Sequence, residues 1–102
     1  WIKRRLTVAP SALRMRYSRG DSMEPTLCDN DIVLVDTSKK TPSPPGIFVL
    51  FDGFGLVGKR LEYAGGGNTI RIISDNAQYS TYERSIDDTF IIGRVVWFAR
   101  EM

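Results

Sequence analysis

The chain has 102 residues, 42% of them hydrophobic and 25% charged, so we expect one globular domain over residues 1–102 and not a disordered tail. No apolar run approaches the ~20 residues of a membrane-spanning helix, and no apolar stretch of a signal peptide follows the N-terminal charges. The net charge is only +2. The first residue is Trp1 rather than Met, and we therefore expect a fragment whose upstream part is missing.

The first twenty residues carry the strongest charge asymmetry of the sequence. They hold six basic side chains and no acidic one, and the first carboxylate is Asp21. Nucleic-acid contacts have such asymmetry, but the cations are divided between two segments, which favours a solvated surface. The opening residues WIKRRL are the one segment with helical potential, and that helix would be short.

Six strands with short turns are predicted from alternation and from β-branched runs, and they indicate a mostly β, compact, curved sheet. In the first of them, LRMRYS, the side chains of Leu13, Met15 and Tyr17 point one way and two arginines the other, which predicts a half-buried strand. A Pro-rich loop, a Gly-rich turn and the polar stretch 75–88 lie outside the predicted sheet. The six strands cover residues 13–18, 31–37, 47–52, 56–63, 69–74 and 90–100.

Two residue types limit the possible chemistry. Histidine is absent, which excludes Ser-His-Asp and Cys-His catalysis and removes the commonest metal ligand. Cys28 is the single cysteine, so neither an internal disulfide nor a thiolate zinc cluster is possible, and we expect no metal and no other cofactor. One unpaired thiol fits a reducing cytoplasm. We interpret Cys28 as a half-buried small hydrophobe and not as a nucleophile.

Residues 20–27, GDSMEPTL, place Ser22 in a stiff, turn-rich segment. A capping or turn role explains a serine there, but such a segment also presents nucleophiles. A nucleophilic serine needs a base that takes its proton. Without histidine the candidates are carboxylates, which are weak bases at their ordinary pKa near 4, and a neutral lysine. Burial among apolar side chains lowers the pKa of a lysine from about 10.4.

Lys59 differs from the other three lysines, which lie beside arginines or at the Pro-rich loop and are expected to be solvated. It is in the middle of a predicted strand, on the face of Val57 and Leu61, while Arg60 is on the other face. A side chain that reaches solvent from the edge of a sheet also explains this pattern. A presented serine, an inward lysine and the absence of histidine together favour a Ser-Lys mechanism.

Five segments in order resemble the Ser-Lys self-cleaving domain of LexA and the lambda-type phage repressors. The interval of 37 residues between Ser22 and Lys59 also matches that family. SMEPTL alone is similar to a sequence box of bacterial signal peptidases, but the ordered set is specific and covers nearly the whole chain from Leu13 onward. The five segments are GDSMEPTL, DNDIVLVD, LVGKRLE, SDNAQY and IIGRVVW.

The resemblance implies a compact β-clip fold, with at most one short N-terminal helix, that hydrolyses one peptide bond in its own upstream linker. In this scheme Ser22 is the nucleophile and Lys59 the general base. The backbone N–H of Ser22 would stabilise the oxyanion. Gly20 and Asp21 would support the segment, and Met23 would keep the lysine away from water.

The resemblance also implies partners. In the family, a RecA filament on single-stranded DNA promotes cleavage, which separates a DNA-binding half from a dimerising half. We therefore expect a homodimer or higher homo-oligomer, a RecA filament as co-protease, operator DNA bound by a missing N-terminal helix-turn-helix domain, and no membrane. Trp97 and Phe98 alternate onto opposite faces of the last strand, so one of them is expected in the core and the other at a partner. Burial of both within the monomer is an equal alternative.

The sequence departs from the family pattern at the cleavage site. The family cuts at Ala-Gly or Cys-Gly upstream of the nucleophile, and neither dipeptide occurs between Trp1 and Gly20. The one Ala-Gly follows Lys59, at residue 64. Either the scissile bond precedes Trp1 or the site is kept without being used. The alternatives are thus a catalytically silent dimerisation domain, a signal-peptidase-like serine protease, and a nucleic-acid-binding module that uses the basic N-terminus.

Overall fold

Seven strands form one antiparallel sheet in the computed structural model, which describes residues 12–100. A 3-10 turn at Ile86–Asp88 precedes the last strand. The strands are β1 Leu13–Tyr17, β2 Ile32–Asp36, β3 Gly46–Phe51, β4 Leu56–Tyr63, β5 Thr69–Ile73, β6 Tyr82–Ser85 and β7 Phe90–Ala99. Their spatial order is β1-β2-β7-β3-β4-β5-β6, so the last strand of the sequence lies in the interior of the sheet between β2 and β3.

The mostly β fold predicted from the sequence is confirmed, with one strand more than expected. The additional strand, β6, lies in the polar stretch that was left outside the predicted sheet. It is a short edge strand with three of its four residues exposed, so no apolar alternation identifies it. The short helix expected for the first six residues lies outside the described residues.

Two clusters of buried side chains lie on opposite faces of β3, because consecutive residues of a strand point to opposite sides. The first cluster is formed by Phe48, Leu50, Leu61, Ile70, Ile72 and Ile91. The second is formed by Met23, Leu27, Val33, Val35 and Val49. Since two of these five residues belong to 20–27, that segment covers the second cluster and is fixed against the sheet.

β1 differs from the half-buried strand that its alternation predicts. Met15 and Tyr17 are 59% and 57% exposed, because β1 is an edge strand whose apolar side chains face away from the second cluster. Met15 pairs with Leu34, and Leu34 pairs with Trp97, so these three side chains lie on one face. We call the exposed apolar surface formed by Met15, Tyr17, Leu34 and Trp97 the outer patch.

Candidate active site

Ser22 lies in a tight turn between β1 and β2 and is half-buried. Gly20 enters this turn at a φ of 81°, in the left-handed region that favours glycine, and its N–H donates to the Asp29 carboxylate at 2.8 Å. The N–H of Glu24 donates to the carbonyl oxygen of Asp21 at 3.1 Å, which closes a turn with Ser22 inside it. Local hydrogen bonds therefore fix the backbone around the serine.

The polar groups of Ser22 are largely free of protein partners. Within residues 12–100, its hydroxyl and its backbone N–H make no hydrogen bond, and neither does the N–H of Met23. Adjacent unpaired N–H groups are what an oxyanion hole needs. The turn thus leaves one hydroxyl and two adjacent N–H donors without a partner among the described residues.

Lys59 lies in the middle of β4, directly opposite Phe48 of β3. Its face is that of the first cluster, to which Phe48 and Leu61 contribute fully buried side chains. This burial holds the pKa of Lys59 below its ordinary value, against a smaller opposing effect of the Asp52 carboxylate. The neutral amine therefore forms at a lower pH than in an exposed lysine.

Two groups contact the Lys59 amine, and sequence reasoning missed both. Its Nζ donates a hydrogen bond to Oγ of Ser74 at 2.7 Å, and the centre of the Tyr79 ring is 5.5 Å from Nζ. Ser74 is only 7% exposed and follows Ile70 and Ile72 in the alternation of β5. A buried hydroxyl at a core-facing position was the signal in the sequence that could have identified it.

The loop of residues 74–79 contacts both Lys59 and the turn around Ser22. The hydroxyl of Tyr79 donates to the Asp21 carboxylate. The backbone N–H of Asn76 donates to the carbonyl oxygen of Ser22 at 3.0 Å, and its side-chain amide donates to the carbonyl oxygen of Asp21 at 2.9 Å. This loop therefore joins the candidate nucleophile and the candidate base, which are far apart in sequence.

Asp75 makes a second connection between these elements. Arg60 donates to it through Nε at 2.9 Å and Nη2 at 2.8 Å, and the hydroxyl of Thr26 donates to it at 2.6 Å. These hydrogen bonds hold the pKa of Asp75 below its ordinary value, and the hydrogen bonds from Arg60 have the largest effect. The N–H of Asp75 also donates to the sulfur of Met23, a buried residue of the second cluster. The shielding of Lys59 by Met23 stays a prediction.

Asp31 anchors the chain just after the segment of residues 20–27. It is 2% exposed, and Arg100 donates to it through Nε at 3.0 Å and Nη2 at 2.8 Å. The backbone N–H of Cys28 donates to the same carboxylate at 2.8 Å. The guanidinium holds the pKa of Asp31 below its ordinary value, so the carboxylate is charged near neutral pH. Cys28 itself is a half-buried free thiol.

Two further features are absent from the described part of the chain. No cluster of three or more Cys, Asp or Glu side chains there has the arrangement of a metal site. No helix within residues 12–100 has the length and apolar character needed to cross a membrane.

One comparison with known proteins finds a match. The sequence model of the Peptidase S24-like family matches residues 2–96, a range that includes Ser22, Lys59 and the loop of residues 74–79. A comparison with curated proteins gives no match.

Proposed function

Because the chain belongs to the Peptidase S24-like family, which covers LexA-like repressors and peptidases, we propose that it is the self-cleaving, dimerising half of a phage- or prophage-type transcriptional repressor. Ser22 and Lys59 would cut one peptide bond of the upstream linker, and the cut would relieve repression. The observation that carries this proposal is the loop of residues 74–79, which contacts the turn around Ser22 and the half-buried Lys59 at once.

The proposed reaction begins with attack of Ser22 Oγ on the carbonyl carbon of the scissile bond while neutral Lys59 accepts the hydroxyl proton. The N–H groups of Ser22 and Met23 stabilise the resulting oxyanion. The Lys59 ammonium then gives its proton to the leaving amine nitrogen, and an ester on Ser22 remains. Water, deprotonated by Lys59, hydrolyses this ester. For these transfers Nζ must come within ~3 Å of Ser22 Oγ.

The family resemblance supports the partners that belong to this proposal. A RecA filament on single-stranded DNA would act as co-protease in the cytoplasm, and an upstream helix-turn-helix domain would bind the operator. Cleavage would then separate operator binding from dimerisation.

We expect the full-length gene product to cut itself once, upstream of Ser22, at a rate that increases with pH. Below the pKa of Lys59 the neutral fraction of its amine rises about tenfold per pH unit, and the rate should follow it. Since burial lowers that pKa, the rate should level off below the ordinary value of about 10.4. Intact mass after incubation from neutral to alkaline pH measures both the cut and its rate.

Two results would contradict this expectation. A cut whose rate does not change with pH would mean that another base acts. No cut at any pH, even with an activated RecA filament, would favour the second candidate function, a catalytically silent dimerisation domain. One observation favours that alternative: within the described part of the chain, the Lys59 amine makes no hydrogen bond to the Ser22 hydroxyl.

We propose that the homodimer interface is the outer patch. Trp97 and Phe98 are 41% and 46% exposed, so the expectation that one of them fills the core is wrong, and so is the alternative that both are buried within the monomer. Trp97 lies beside Leu34 and Met15, which extend its apolar surface across three strands. A contiguous exposed apolar surface of this kind is typical of protein–protein contacts.

Met15→Asp is expected to weaken the dimer by about tenfold or more, because it puts a charge into the proposed apolar interface. Met15 is exposed in the monomer, so the fold should be unaffected. Phe54→Asp is the matched control, since Phe54 is fully exposed in the turn between β3 and β4. Sedimentation equilibrium of both variants measures the dissociation constant, and equal constants would place the interface elsewhere.

A further inference from the structure

We propose that Ser74 is a positioning residue, whose hydroxyl holds the Lys59 amine in the orientation that takes the proton from Ser22. This inference rests on the proposed function and extends it to a residue outside the Ser-Lys pair. Its geometric basis is the hydrogen bond of 2.7 Å from Lys59 Nζ to Ser74 Oγ. Within residues 12–100 this is the one hydrogen bond that the amine makes.

The position of Ser74 next to the sheet indicates that its hydroxyl serves as the hydrogen-bond acceptor for Lys59. Ser74 comes directly after β5 and continues the alternation of Ile70 and Ile72, both of which are buried in the first cluster. An apolar side chain would fit that alternation, yet a hydroxyl stands there with 7% exposure. A buried hydroxyl needs a partner, and the lysine amine is that partner.

The chemistry of a neutral amine explains why one such contact matters. A neutral lysine has two N–H donors and one lone pair, and free rotation about the terminal bond spreads the lone pair over many directions. When one N–H donates to Ser74 Oγ, this rotation is fixed. The lone pair then remains available to accept the proton of Ser22. Fixing the reacting group in this way increases the rate without any new contact to the substrate.

Other charged and titratable groups lie on and around β4 near the amine. Asp52, in the turn between β3 and β4, favours the ammonium form. The Tyr79 ring, which lies 5.5 Å from Nζ, also favours a cation, and its hydroxyl is bonded to the Asp21 carboxylate. On the opposite face of β4, Arg60 is paired with Asp75. None of these groups accepts a hydrogen bond from Nζ, so among residues 12–100 Ser74 is its one hydrogen-bond acceptor.

Ser74→Ala should therefore have two separable effects on cleavage by the full-length product. The rate at the alkaline plateau should fall about tenfold, because the amine is no longer oriented. The inflection of the rate profile should move down by about one pH unit, since the half-buried ammonium loses a charge-assisted hydrogen bond. The two effects oppose each other near neutral pH, where the rate should stay within about threefold of the parent.

Two further variants test whether the changes in the pH profile of the cleavage rate depend on the Ser74 hydroxyl. Ser74→Thr keeps a hydroxyl on the same carbon and should return both the plateau and the inflection toward the parent values. Ser80→Ala removes an exposed serine from the same region and should change neither. Thermal unfolding of all three variants separates a loss of folded protein from a change in chemistry.

A second measurement follows Lys59 without any cleavage. In the full-length product with Ser22→Ala, an NMR titration of the Lys59 side-chain nitrogen should show a lower midpoint when Ser74 is also replaced by alanine. If the parent cleaves itself and Ser74→Ala has the same inflection and plateau as the parent, the role of Ser74 is overturned while the proposed function stands. Absence of cleavage in the parent would overturn the proposed function and, with it, the positioning role of Ser74.

Discussion

Ser22→Ala should abolish self-cleavage of the full-length product, with a loss of at least ~10⁴-fold, because it removes the hydroxyl that forms the ester in the proposed reaction. Lys59→Met should cause a loss of similar size, since it keeps an apolar side chain of comparable length and removes the base. The two losses should not add, because the residues act in one proton transfer. Intact mass at alkaline pH measures the remaining rate of each variant and of the double variant.

Matched controls are available for both positions. Ser80→Ala and Lys40→Ala replace exposed residues of the same types and should leave the rate unchanged. The Ser22 hydroxyl has no protein partner within the described residues, so Ser22→Ala should change the free energy of unfolding by less than ~0.5 kcal/mol. Persistent cleavage in the folded Ser22→Ala protein would identify a contaminating protease or a different nucleophile.

The sequence predicted those parts of the fold that depend on local patterns. Alternation and β-branched runs located six of the seven strands, and the same alternation placed Lys59 on the face of Leu61. These predictions succeed because side-chain direction in a strand is fixed by its period of two. β6 was missed because an exposed edge strand has no core to impose that period.

The surroundings of the candidate site were less accessible to sequence reasoning. Ser74 and Tyr79 contact Lys59 only because β5 pairs with β4 and the following loop returns to the turn around Ser22. Such contacts depend on register and topology, which local patterns do not specify. The exposed face of β1 has a similar cause: alternation shows that Met15 and Tyr17 share a face, but not whether that face meets a core.

Phe48→Ala should lower the free energy of unfolding by about 4 kcal/mol, because it leaves a cavity in the core. Phe48 is 0% exposed in the first cluster, and the Arg94 guanidinium lies 4.5 Å from the centre of its ring. The loss is a large share of the ~5–15 kcal/mol that stabilises a typical domain. Urea denaturation at neutral pH measures it through the midpoint and slope of the transition.

Phe54→Ala is the matched control for this truncation. Its ring is 100% exposed in the turn between β3 and β4, so its removal should cost less than ~0.5 kcal/mol. Equal losses for both variants would contradict the assignment of Phe48 to the core.

Phe48 also connects the stability of the sheet to the proposed chemistry, because it lies directly opposite Lys59 in the pairing of β3 with β4. A cavity at this position should admit water to the lysine and weaken the desolvation that lowers its pKa. In the fraction of Phe48→Ala that remains folded, the cleavage profile should therefore move to higher pH, opposite to the shift expected for Ser74→Ala. Opposite shifts from two neighbours of one amine would separate the effect of burial on Lys59 from the effect of its hydrogen bond.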